Sequence, residues 1–437
     1  MPKFKIVTLG CKVNQTESES MAQDLMASDW IAVQDAAAAD VCIVNTCAVT
    51  QKASMQSRQA LRQAIRANPC ARIMATGCYA ETAPDEIKTI QGVTDIIGQG
   101  NKPCISSMLR KENQRPAEIL VSGCGDIGQK RVFELTPLAV TAPRTRPFLK
   151  IQDGCDAFCT YCIVPYARGR SRSMPPDKVL RRIRKLAEAG YHEVVLTGIH
   201  IGTYGRDLSP AASLAALLDR INALGLIDRV RLSSIEPLEL SGDIIRMVAE
   251  SDRFCRHFHI PLQSGDDGIL KKMGRPYSRQ IFRDLIIRVN EAMPEAAIGV
   301  DTLIGFPGES EKAFENTYEL MEDLPVSYLH VFPFSARPGT AAAKFGHPVQ
   351  PEILKARCER MRSLGWSKRL NFYRKFIGKR LPVLFEAKRD GTAGLLKGIS
   401  SNYVPVLIDA GDELKNKIVD VKIEKLENNR LFGNCTV

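Results

Sequence analysis

Short β-branched runs alternate with helix-like stretches along most of this chain, and that alternation leaves few folds open. The first runs lie at residues 5–9, 41–44 and 72–75, with helical sequence between them. Strands separated by helices pair in parallel, so residues 1–140 are expected to form a doubly wound α/β domain. A polar, irregular stretch follows at 101–146, and three prolines between 136 and 147 mark a boundary. From residue 148 the alternation restarts and gives six strand candidates, at 148–151, 193–196, 229–232, 257–260, 298–301 and 328–331. Six units are too few for a closed eightfold barrel, so an open partial (βα)6 barrel is expected over 141–371. Beyond residue 372 the runs shorten to 381–386, 394–398, 404–408 and 418–423 with glycine-bearing turns, which predicts a small antiparallel β-barrel over 372–437. A chain of 437 residues exceeds what one core serves, which agrees with three units.

The cysteines carry the chemistry. There are 13, an odd number, and the amino-terminal apolar stretch runs into Cys11-Lys12-Val13-Asn14 with no cleavage site after it. No apolar run approaches the roughly 20 residues of a membrane span. These features predict a cytoplasmic protein with no membrane partner, whose reduced thiols serve metal rather than disulfides. Cys155, Cys159 and Cys162 form C-x3-C-x2-C directly after the first strand of the second unit, at the carboxyl end of a barrel strand, where such barrels place active sites. Three thiolates hold a 4Fe-4S cluster with one iron left open to a small molecule. A zinc knot is the competing reading, but it needs a fourth local ligand, and there is no histidine before His192.

Cys11, Cys47 and Cys78 stand 36 and 31 residues apart, each just after a strand run. Parallel strands point the same way, so these three thiols are expected on one sheet edge, where open α/β folds bind ligands. Taken singly, each is a common buried core residue. Taken together, they predict a second 4Fe-4S cluster, also with an open iron. The other seven cysteines are read as structural.

The net charge of +11 is concentrated late, with 18 Lys and Arg against 10 Asp and Glu in residues 352–437. Residues 355–380 hold ten basic side chains and the single acid Glu359. Such a surface suits nucleic acid, the competing reading being a solvated helix face. Arg168, Arg170 and Arg172 would share one face of an extended segment and could meet phosphate. Lys388, Arg389, Lys397 and Tyr403 combine charge with an aromatic platform of the kind used on looped RNA. Polar residues at later strand ends, Ser234, Glu236, Gln263 and Asp301, with Gly198 for close backbone approach, are candidates for holding a cofactor. Each has a plain alternative as a satisfied strand-end group.

The triad followed by Tyr166-Ala-Arg-Gly-Arg-Ser-Arg-Ser resembles the radical S-adenosylmethionine superfamily, and specifically its methylthiotransferases. Leu196-Thr-Gly-Ile-His-Ile-Gly, Ser233-Ser-Ile-Glu-Pro237, His259-Ile-Pro-Leu-Gln-Ser-Gly-Asp266 and Gly299-Val-Asp-Thr-Leu-Ile-Gly-Phe-Pro-Gly-Glu309 agree, and the last unit is similar to an RNA-binding TRAM module. Leu9-Gly-Cys-Lys-Val-Asn-Gln15 looks like the MtaB type, which acts on N6-threonylcarbamoyladenosine beside the anticodon of tRNA. Relatives acting on isopentenyladenosine usually carry Gln-Met-Asn after that cysteine, and those acting on a ribosomal protein Pro-Lys-Asn. The resemblance implies insertion of a methylthio group at C2 of the adenosine at position 37. S-adenosylmethionine would be cleaved at the Cys155 cluster, with sulfur supplied from the cluster on Cys11, Cys47 and Cys78. It also implies the tRNA anticodon loop, a sulfur donor and an electron donor such as flavodoxin or ferredoxin as partners. The readings left beside it are methylthiotransferases acting on isopentenyladenosine or a ribosomal protein aspartate, and a non-catalytic RNA-binding iron–sulfur sensor.

Overall fold

The structure is a computed structural model that describes residues 1–111, 118–125, 127–140 and 144–435. Residues 141–143, inside the expected boundary, lie outside the described residues. Six parallel strands build the first sheet: β1 (Lys3–Thr8), β2 (Ile31–Ala32), β3 (Val41–Thr46), β4 (Arg72–Gly77), β5 (Asp95–Ile97) and β6 (Leu120–Ser122), in the order β2-β1-β3-β4-β5-β6. Alternation along β3 shows how both faces are covered. Val41 and Ile43 pack with Met21, Leu25 and Ile105 on one side, whereas Cys42 and Val44 pack with Leu61, Ala64 and Tyr79 on the other. The strand order reverses between β1 and β3, and the crevice at their carboxyl ends is where sheets of this kind take ligands.

The central unit contains β7 (Phe148–Lys150), β8 (Gln152–Asp153), β9 (Arg172–Ser173), β10 (Glu193–Thr197), β11 (Arg229–Leu232), β12 (His257–Gln263), β13 (Ala297–Ile304) and β14 (Tyr328–Pro333). β11-β10-β7 and β12-β13-β14 are two parallel three-stranded sheets, linked by the bridges Val230↔Phe254 and Ser234↔His259. All six expected strands are present, and they follow one another without closing into a ring. Phe258, Ile260 and Leu262 of β12 pack outward with Phe282 and Ile286 of the helix Arg279–Ala292, so His257 and His259 face the inside. The first unit bridges the gap between the end strands. Lys150 of β7 pairs with Glu17 of the helix Lys12–Met26 at 2.9 Å. Beyond β14, Ser335 accepts from the Gln51 backbone N–H and Arg337 donates to Ser54, both at 2.9 Å, at the start of the helix Gln51–Ala67.

The last unit is a closed five-stranded barrel of β15 (Arg380–Phe385), β16 (Leu396–Ser400), β17 (Pro405–Ile408), β18 (Ile418–Glu427) and β19 (Arg430–Asn434), ordered β15-β16-β17-β19-β18. It is not wholly antiparallel, because β17 and β19 pair in parallel. The tight turn at Asn428 and Asn429, with φ of 48° and 61°, folds β19 back along β18, and that direction sets it parallel to β17. The barrel seats against the amino ends of the central strands: Arg229 donates to the Pro382 carbonyl at 2.8 Å, and Ala297 packs into the barrel's core. Among the described residues no helix is long and apolar enough to cross a membrane.

Candidate active site

Cys155, Cys159 and Cys162 occupy the loop between β8 and β9, whose antiparallel pairing of Gln152 with Ser173 and Asp153 with Arg172 pins both ends. Gln152 fastens the loop to β10. Its Nε2 donates to the Gly154 carbonyl at 2.8 Å, while its Oε1 accepts from the backbone N–H groups of Ile199 and His200 at 3.0 and 2.8 Å. The Cys155 N–H donates to the Gly169 carbonyl at 3.0 Å, and that of Cys162 to Cys159 at 2.9 Å. Two cationic side chains then collar the thiols. Arg275 donates to Cys159 Sγ at 3.3 Å and also pairs with Glu236. His200 Nδ1 lies 3.3 Å from Cys155 Sγ, with Nε2 2.8 Å from Glu239. Burial works against a charge on His200, but its hydrogen bonds to Cys155 and Glu239 lift it to about 10. Burial pushes the Cys162 thiol up to about 12, so only a cationic partner such as a metal would make it a good ligand here.

Cys11 caps the helix Lys12–Met26, Cys47 follows β3, and Cys78 opens the helix Cys78–Thr82 directly after β4. Topology brings them together as the strand ends require. A Cβ on Gly10 would stand 2.9 Å from Cys47 Sγ, and Cys11 and Cys47 both lie near enough to Cys78 to bear on its thiol. Burial lifts Cys78 to about 11, opposed chiefly by the nearby Arg168 guanidinium. Gln99 Nε2 donates to Cys78 Sγ at 3.4 Å. The two trios are coupled through packing, because Ile163 and Ala167, just after Cys162, share an apolar cluster with Cys78, Tyr79 and Ala80.

Spacing tests what these donors fit. Among the described residues, the one group of three His, Cys, Asp or Glu whose ligand atoms all lie within 4.8 Å of one another is His259, Asp301 and His330. A single zinc with bonds of about 2.3 Å needs sulfurs about 3.8 Å apart, so both cysteine trios are too open for one ion. Three thiols per site, open spacing and cationic neighbours fit a larger anionic group, and a 4Fe-4S cluster is of that kind.

Residues 149–321 match the family described as the radical SAM superfamily, and residues 3–98 match an uncharacterized protein family, UPF0004. Threonylcarbamoyladenosine tRNA methylthiotransferase MtaB of Bacillus subtilis (strain 168) is 36% identical over 425 residues, covering 96% of this chain and 93% of that relative. The chain belongs to the radical S-adenosylmethionine methylthiotransferase family. It is thus an enzyme, a transferase of a sulfur-containing group. The MtaB of Aquifex aeolicus (strain VF5) is 36% identical, over 87% of this methylthiotransferase and 92% of the relative. A tRNA-2-methylthio-N(6)-dimethylallyladenosine synthase of Clostridium botulinum (strain Okra / Type B1) is 32% identical over 99% and 96%. Among solved structures, the radical S-adenosylmethionine methyltransferase TsrM of Kitasatospora setae, with cobalamin and a [4Fe-4S] cluster bound, aligns with TM-score 0.59 and 15% identity over 78% of this chain and 77% of that one. That likeness concerns the α/β fold with its parallel sheets.

The other candidate residues of this methylthiotransferase fall into different places. Glu236 reaches the Cys159 side of the site through Arg275, and burial raises its carboxyl above the ordinary range. Asp301, expected at a strand end, lies within β13 because that strand runs on to Ile304, and it accepts from His259 Nε2 at 2.6 Å on the inner face of the arc; Ser234 bridges to His259, and Gln263 ends β12 at a bulge with φ of 72°. Gly198 is close to protein rather than open space, since a Cβ there would lie 2.9 Å from Gln152 Oε1. The shared arginine face does not exist. The segment is helical from Val164 to Arg168 and turns at Gly169, which buries Arg168 and Arg172 and leaves Arg170 exposed. In the barrel, Arg389 is held by Asp412 at 2.8 Å, Lys397 lies 3.9 Å from Glu386, and Tyr403 stacks on His257 with centroids 4.4 Å apart. Lys388 is exposed without an ion-pair partner among the described residues. The basic helix Pro351–Arg374 also spends charge internally, with Arg357 on Glu309 at 2.8 Å and Arg360 on Glu315.

Sequence reading missed His200, Glu239, Arg275 and Gln152. It also missed Phe158 and Tyr166, two exposed rings at 5.8 Å beside the first trio, with Arg170 5.1 Å above Phe158. An aromatic inside the C-x3-C-x2-C loop was the available signal.

Proposed function

We propose that this methylthiotransferase inserts a methylthio group at C2 of N6-threonylcarbamoyladenosine at position 37 of tRNA, using one 4Fe-4S cluster on Cys155, Cys159 and Cys162 and another on Cys11, Cys47 and Cys78. The units are 1–140 for the second cluster, 141–371 for S-adenosylmethionine and 372–437 as a TRAM-like RNA-binding barrel. The observation that carries this reading is that Ile163 and Ala167, which follow Cys162 in the central unit, pack into one apolar cluster with Cys78 of the first unit, so the segments that bear the two cysteine sets adjoin. When bound, the clusters and S-adenosylmethionine supply radical hydrogen abstraction at the first trio and transferable sulfur at the second.

The chain's own residues supply placement. His200 and Arg275 offset the negative charge gathered on the first trio, and Gln152 holds that loop rigidly against β10. Glu236, Ser234 and Gln263 stand at or just beyond strand ends, and Asp301 faces the same interior from within β13, where the cofactor's polar groups would be held; Gly198 lets Gln152 approach the loop. Phe158, Tyr166 and Arg170 form an exposed lip on which an unpaired base of the anticodon loop stacks. Lys388 offers charge for the backbone farther away. Sulfur and electrons come from separate donors.

The substrate assignment rests on the MtaB relatives and on Lys12-Val13-Asn14 beside Cys11. Mass spectrometry of tRNA nucleosides from cells with and without the gene tests it. Loss of 2-methylthio-N6-threonylcarbamoyladenosine is expected. An unchanged pool of that nucleoside, or loss of the isopentenyl counterpart instead, would reject it.

A further inference from the structure

Arg168 ends the short helix Val164–Arg168 that follows Cys162, and its side chain is 1% exposed. Its Nη1 donates to Glu17 Oε1 and Asp153 Oδ1 at 2.9 Å each, and its Nη2 to Asn14 Oδ1 at 2.5 Å. Asn14 and Glu17 belong to the helix that Cys11 caps, whereas Asp153 stands two residues before Cys155. One guanidinium therefore ties both cysteine sites together. Its Nε–H has no acceptor among the described residues, although buried donors are nearly always satisfied.

The direction of that N–H follows from the planar fork, in which Nε–H shares an edge with Nη2. The Nη2 edge faces Asn14, whose own amide donates to the carbonyls of Leu9 and Thr46 at 2.7 and 3.0 Å, beside Cys11 and Cys47. The spare donor thus faces the Asn14 side, where the carbonyls of Leu9 and Thr46 stand beside Cys11 and Cys47.

We propose that Arg168 is a positioning residue that donates its Nε–H to a sulfur of the cluster on Cys11, Cys47 and Cys78, and so sets that cluster's reduction equilibrium from the segment that carries the other cluster. The inference rests on the two-cluster reading. A hydrogen bond and a buried cation at cluster sulfur both favour the reduced, more negative state. Removing them shifts the equilibrium toward the oxidised form.

The test uses the full chain with Cys155, Cys159 and Cys162 all replaced by Ala, reconstituted anaerobically and titrated with reductant under paramagnetic resonance. In that background Arg168→Gln is expected to shift the equilibrium at least tenfold toward oxidised, about 59 mV for one electron. Arg168→Lys, which keeps the charge but loses the Nε–H, is expected to shift it roughly threefold with an altered spectrum, and it carries the test if the glutamine variant does not fold. Lys150→Met removes another cation of the same buried network, bonded to Glu17 at 2.9 Å and Asp153 at 3.1 Å, and is expected to lower stability without moving the potential. A triple-alanine chain that binds no iron overturns the two-cluster reading itself. Iron bound normally, with Arg168 variants shifted no more than Lys150→Met, overturns the role of Arg168 alone.

Discussion

Gly77→Ala attacks the turn that delivers Cys78 to the sheet edge. Gly77 has φ of 96° and ψ of −170°, a region essentially closed to residues with a side chain. The added carbon would fall 2.5 Å from the Thr46 carbonyl oxygen and 2.6 Å from Asn45 Oδ1. Holding the backbone there costs about 1–3 kcal/mol. Overpacking against β3 adds about 1–3 kcal/mol, giving about 2–6 kcal/mol in all. The chain relieves this by moving Gly77 away from β3, and Cys78 moves with it. Melting of the apo chain should drop by several degrees, and reconstituted protein should hold about four irons where the parent holds about eight. Cleavage of S-adenosylmethionine to 5′-deoxyadenosine should continue, because the first trio is untouched. The assays are differential scanning calorimetry, iron and sulfide counting, and chromatography of deoxyadenosine. Parent-like melting together with a full iron complement would refute the steric reasoning.

Cys47→Ala should leave uncoupled S-adenosylmethionine cleavage while eliminating methylthio product, whereas Cys159→Ala should abolish both; product analysis by mass spectrometry separates them. His257 is buried against Tyr403, and burial holds it neutral, well below its ordinary range. The unfolded chain takes up that proton below about pH 6.5 and the folded chain does not, so stability is full above that pH and falls by up to about 1.4 kcal/mol per unit as pH drops toward the folded value. His257→Gln should flatten this dependence in melting curves taken between pH 7.5 and 5, and equal slopes would contradict it. Arg231 is buried on Glu193 at 2.7 Å and donates to the carbonyls of Ser401 and Ser400 at 3.0 and 3.1 Å. Arg231→Met should cost about 3–5 kcal/mol in urea unfolding and speed proteolysis between the central unit and the barrel; resistance equal to the parent would show that the carbonyl contacts do not hold the barrel.

Strands that are unbroken apolar runs between turn signals were legible, which is why all six central strands and the runs before Cys11, Cys47 and Cys78 stand where the sequence places them. Three-residue strands such as Asp95–Ile97 and Leu120–Ser122 carry too little pattern to read, and β19 hides in the short Arg-Leu-Phe-Gly-Asn. The convergence of Cys11, Cys47 and Cys78 could be argued because parallel topology fixes which strand ends meet. His200 and Arg275 could not, since their approach to Cys155 and Cys159 spans 45 and 116 residues and depends on loop geometry. Arg168 shows the opposite failure. Alternate spacing implied a shared exposed face only if the backbone were extended, and a five-residue helix made the same arginine a buried link between sites.

Everything turns on two cysteine trios that each hold a cluster. Iron and acid-labile sulfide counted per chain on anaerobically reconstituted protein, alongside Cys11→Ala/Cys47→Ala/Cys78→Ala, tests this most directly. About eight irons in the parent and about four in the triple variant are expected. About four irons in both would contradict a cluster at the edge of the first sheet, and with it the proposed source of sulfur.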